Sequence, residues 1–62
     1  MKSISLSEEE LRLLHEILSD YLANLRVEIA NTDSYELREA LKRNEVTLRG
    51  LLERLGSALT SP

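Results

Sequence analysis

His15 is the one imidazole in this 62-residue chain, and Glu16 follows it. A His-Glu pair on a helix becomes a zinc-protease signature only when a second His stands four residues on. Ser19 holds that position. With no Cys anywhere, cysteine zinc sites and disulfides are excluded together. Gly50 and Gly56 are the two glycines, and neither opens a helix after a strand, so no phosphate-cradling loop is present. No catalytic, cofactor-binding or metal-ligating residue emerges, and a non-enzymatic protein without a cofactor is expected. Two polar features remain to be explained: Asn44 within a leucine register, and the spaced cations Arg38, Lys42 and Arg49.

The elements that must position these residues are two helices. Ser7-Glu8-Glu9-Glu10 is a capping box with three carboxylates on the positive end of the helix dipole, and Leu6 and Leu11 flank it as a hydrophobic staple. Leu11, Leu14, Leu18, Tyr21 and Leu25 then recur at spacings of three and four, joined by Leu22 and Ile29, a core-facing stripe about 100° wide. The first helix is expected over about 8–30. Asn31-Thr32-Asp33-Ser34 suits a turn, with Asn31 at a left-handed C-terminal position and Asp33 with Glu36 as a second capping box.

The second helix, about 34–55, carries Leu37, Leu41, Asn44, Leu48, Leu51, Leu55 and Ala58 in heptad register, widened by Leu52 and Leu59. Gly56 is expected to mark its end. The short connection makes the helices antiparallel, an all-α hairpin in one domain over 1–62, with 1–6 and 57–62 as flexible ends. Folding about the turn sets Leu25 opposite Leu41, Leu22 opposite Asn44, Leu18 opposite Leu48 and Leu11 opposite Leu55. Arg26 and Glu28 are expected to clamp the Thr32-Asp33-Ser34 connection by hydrogen bonds.

Ordering 62 residues at roughly 1.5 kcal/mol each opposes folding by about 90 kcal/mol, a heavy load for 42% hydrophobic residues. One partner helix cannot cover stripes this wide. The expectation is therefore a homodimer, two hairpins forming an antiparallel four-helix bundle by the isologous route. Its core is expected to draw on Leu14, Leu18, Tyr21, Leu22, Leu41, Asn44, Leu48 and Leu51. Asn44 would fix register and partner number there at some cost in stability, with the Tyr21 hydroxyl as its hydrogen-bond partner. Ile17 flanks the stripe, while Leu13, Val27, Tyr35 and Val46 point away from it.

Charge divides unequally. Residues 7–30 balance to -4 and residues 34–55 to +1, within a net charge of -3. An acidic helix beside a basic one favours antiparallel pairing, and the overall acidity repels nucleic acid and anionic lipid at long range. The longest apolar run, Tyr21-Leu22-Ala23, is far too short for a membrane span or a secretory signal, so a cytoplasmic protein is expected. Tyr21 and Tyr35 are the only aromatics, leaving little for stacking on bases.

Three resemblances bear on these residues. The stripe Arg38, Lys42 and Arg49 is similar to the phosphate-contacting face of Rop-like RNA-binding bundles, although glutamates interleave it. Ser34-Tyr35-Glu36-Leu37-Arg38 resembles the Ser-Gln-Glu-Leu-Asp motif of small helical hairpins that dephosphorylate sporulation response regulators, with Arg38 where that family carries its functional Asp. The widest likeness runs from Tyr21 through Leu22, Leu25, Arg26, Glu28, Ile29 and Thr32 to Asp33 and on into the Leu-Lys helix ending at Leu51-Leu52-Glu53-Arg54-Leu55. It resembles a family of short bacterial helical-hairpin proteins of unassigned function with a Tyr-Leu-x-x-Leu-Arg-x-Glu-Ile-x-x-Thr-Asp core. That resemblance implies a stand-alone bacterial hairpin and carries no activity with it; the expectation of an interaction or scaffolding module comes from the chain's own wide apolar stripes. Its partners would be itself and an unidentified protein.

Overall fold

In the computed structural model, which describes residues 2–60, helix α1 spans Glu8–Asn31 and helix α2 spans Tyr35–Thr60. They pack against each other as an antiparallel hairpin. The α1 start follows the local chemistry. Glu10 N donates to Ser7 Oγ at 3.1 Å, and Ser7 N donates to Glu10 Oε1 at 2.8 Å, so both halves of the capping box are present. Leu6 and Leu11 are half-buried on either side of it.

The turn differs from expectation in three respects. Asn31 is the last helical residue of α1, and no described residue has positive φ; the extended Thr32 ends the helix, its N–H donating to Glu28 O at 2.9 Å. Extended backbone turns the chain without the left-handed residue that Asn would otherwise supply. Ser34, not Asp33, caps α2: its Oγ accepts from Leu37 N at 3.2 Å, while its own N–H donates to Thr32 Oγ1. Arg26 does not reach the turn, because Glu45 lies across the helix pair and accepts from its Nε at 3.1 Å. No hydrogen bond ties the Glu28 side chain to the connection, which is held instead by Arg38, whose Nη2 donates to Thr32 O at 2.6 Å.

The far end also runs on. Gly56 is interior to α2, which continues to Thr60, so residues 57–60 are helical and only 61–62 of the expected tail lie outside the described residues. Of the expected 1–6 lead-in, Met1 likewise lies outside them. Half-buried Leu59 extends the apolar stripe one turn past the glycine, and that packing outweighs a glycine penalty of about 1 kcal/mol.

Among the described residues, Leu25, Leu48 and Leu55 alone are buried, with Leu11, Leu18 and Leu41 half-buried. The expected Leu22–Asn44 pairing is absent: Asn44 is exposed, and Leu22 is half-buried on the other side of the seam. Leu13, Val27, Tyr35 and Val46 are exposed, as their positions on the helices dictate. The hairpin measures 44 × 25 × 14 Å, about one helix diameter thick. It has a seam but no second layer.

Candidate interaction surface

Two contacts define one broad face of the hairpin. Arg26 pairs with Glu45, and a Cβ built on Gly56 would lie 3.8 Å from His15 Nε2, so these four residues share a side. With 3.6 residues per turn, Ile17 and Tyr21 of α1 and Asn44 and Leu51 of α2 fall on the other. That second face is open. Ile17 is 54% exposed, Tyr21 53%, Leu37 at the seam edge 50% and Leu51 37%. The first face is better closed, with Leu22, Ile29 and Leu52 all half-buried beside the ion pair.

The open face continues toward both ends. At the turn, a groove of about 430 Å³ is lined by Glu28, Asn31, Thr32, Leu37 and Leu41. At the opposite end, a second groove runs between the lead-in residues Ile4 and Leu6 and the α2 residues Leu51, Arg54 and Ala58. Both are apolar-floored and shallow.

Of the eight residues expected in an oligomer core, Leu48 is buried and Leu14, Leu18, Leu22 and Leu41 are half-buried. Tyr21, Asn44 and Leu51 are exposed. Tyr21 and Asn44 stand at one level of the hairpin, on opposite helices and on the same open side. Neither side chain has a hydrogen-bond partner among the described residues.

Two of the three spaced cations are engaged within the chain. Arg38 is half-buried, with its guanidinium on the Thr32 carbonyl and its Nε buried without a partner. Lys42 lies 3.7 Å from Glu39 on the same helix. Arg49 alone of the three has neither an ion pair nor a hydrogen bond among the described residues, so the three do not form a continuous free stripe. The role of Arg38 at the end of α1 is the feature that sequence reading missed. Its signal was the absence of any basic residue in the last turn of α1, a negative dipole end that needs a cation from elsewhere.

Chemistry needs convergence, and the side chains do not converge. No group of three or more His, Cys, Asp or Glu residues among those described is placed to hold a metal ion. Ser34, at the phosphatase-like motif, is occupied as a helix cap. The Glu10 carboxyl is held below the ordinary value of 4.5 by its hydrogen bond from the Ser7 backbone, then by the Ser7 hydroxyl, and this too is capping. No helix among the described residues is long and apolar enough to cross a membrane.

No family model, curated protein or solved structure matches the chain. The surface must therefore be read from its own chemistry. The open face is half-apolar, one helix pair wide and rimmed by charged residues.

Proposed function

We propose that this protein is a non-enzymatic interaction module that assembles with a second copy of itself into an antiparallel four-helix bundle, and that scaffolding is its role. One observation carries the reading. The chain exposes 5247 Å², whereas a compact monomer of 7.1 kDa exposes about 4,100 Å². The excess of about 1,100 Å² exceeds the roughly 800 Å² that each partner loses in a standard stable interface. Ile17, Tyr21, Leu37 and Leu51 place large exposed apolar side chains on a single face. A second hairpin would turn a one-layer molecule with three buried leucines into a two-layer one with a shared core.

Light scattering coupled to size exclusion tests the reading. The expected mass is near twice 7.1 kDa at micromolar concentration; a mass that stays at one chain across a hundredfold concentration range would end it.

A further inference from the structure

We propose that the second copy seats with its α1 along this chain's α2, about a two-fold axis parallel to the helices, so that Tyr21 of each copy meets Asn44 of the other. This rests on the self-association reading above and adds to it which helix docks on which. Two hairpins laid face to face have two simple two-fold arrangements. With the axis along the helices, each α1 covers the other copy's α2 and every residue keeps its level. With the axis across them, α1 covers α1 and α2 covers α2.

Charge separates the two. On the open side, the rim of α1 carries Glu10 and Asp20, and the rim of α2 carries Arg43 and Arg54. In the α1-on-α2 arrangement Asp20 stands within one helical turn of Arg43 of the second copy, and Glu10 within one turn of its Arg54. The α1-on-α1 arrangement brings Asp20 beside Asp20 and sets the arginines within a turn of one another, where like charges repel. One acidic pair counts against the first arrangement: Glu28 and Glu36 share a level at the turn end, where the layers open to water and the repulsion is screened.

Shape agrees with charge. The α1 edge is bulky, with Leu13 and Ile17, while the α2 edge is small, with Ala40, Thr47 and Ala58. Large residues over small ones interdigitate; large over large leave gaps or clash. Polar satisfaction agrees as well. Asn44 points toward the middle of the assembled bundle, where a buried amide needs a partner, and the Tyr21 hydroxyl arrives at its level from the second copy.

The test uses charge exchange on the full chain. Asp20→Arg and Arg43→Asp are each expected to weaken the dimer about tenfold, since each introduces two like-charge contacts. The double variant should restore it, and so should mixing the two single variants. Tightening by Asp20→Arg alone, or no recovery in the double variant while wild type remains dimeric, overturns the arrangement and leaves self-association standing. A monomeric wild type overturns both. An independent readout exploits the absence of cysteine. Tyr21→Cys chains mixed with Asn44→Cys chains should oxidise mainly to the mixed disulfide; a predominance of like-with-like disulfides overturns the proposal.

Discussion

Arg38 and Thr32 are joined by a 2.6 Å hydrogen bond from the guanidinium Nη2 to the backbone carbonyl, so a cation on the first turn of α2 closes the negative end of α1. The bond performs the work of a C-terminal cap at a distance of six residues. Because the Arg38 side chain is half-buried and charge-assisted, it weighs more than an exposed surface pair. Arg38→Ala should destabilise the fold by about 1–3 kcal/mol in urea titration. Arg49→Ala, exposed and without an ion pair, should change it by less than about 0.5 kcal/mol. Equal effects of the two would show that Arg38 does not hold the turn.

The Ser7 box gives α1 a pH-sensitive start. Glu10 titrates below its ordinary value in the folded chain because Ser7 hydrogen-bonds the charged carboxylate. Its contribution is therefore complete above the unfolded value near 4.5 and lost as pH falls through the lower folded one. Glu10→Gln should flatten this acid limb in circular-dichroism melts, leaving what the other carboxylates contribute. Ser7→Ala should cost about 1 kcal/mol at neutral pH, the usual loss for a cap.

Glycine inside α2 gives a prediction of opposite sign. A Cβ at Gly50 would have no atom within 4 Å, and one at Gly56 would meet His15 Nε2 at an ordinary 3.8 Å. Neither has positive φ. Gly50→Ala and Gly56→Ala should each stabilise by about 0.5–1 kcal/mol through higher helix propensity. A lower melting temperature for Gly50→Ala would mean that another backbone approaches the outer side of α2, a surface the four-helix arrangement leaves free.

What was legible in the sequence, and what was not, follows from the range of each interaction. The α1 start was legible because Ser7, Glu10, Leu6 and Leu11 act within five residues of one another. The antiparallel pairing was legible because a three-residue connection leaves the second helix no other direction, and the burial of Leu25, Leu48 and Leu55 because they lie on the leucine stripes. The α2 cap was ambiguous, since Asp33 and Ser34 are adjacent and both are good caps; the tertiary Arg38 bond helps fix the connection in which Ser34 is the one used. Gly56 looked like a stop because propensity is local, while the packing of Leu55 and Leu59 that carries the helix past it is not. The side of each stripe turned inward was also hidden. Asn44 and Leu22 lie on opposite edges of their stripes, and only the tertiary contacts of Arg26 with Glu45 and of His15 beside Gly56 show which edge is open.

Asn44 supplies the most discriminating substitution. It is an exposed amide on the open face, without a hydrogen-bond partner among the described residues, in a register otherwise held by apolar residues. If a second copy covers that face, Asn44 is desolvated on assembly and satisfied by one hydroxyl, a weaker arrangement than leucine packing. Asn44→Leu is then expected to raise the melting temperature by about 4–8 °C, equivalent to about 1 kcal/mol for a domain this small. It should also broaden the distribution of assemblies, because the polar layer that defines register and partner number has gone. Thermal melts at several concentrations with sedimentation velocity read both effects at once. A fall in melting temperature would instead show that Asn44 makes hydrogen bonds the assembly needs. An unchanged melting temperature with an unchanged single species would show that Asn44 stays in water and that the open face is not where the chains meet.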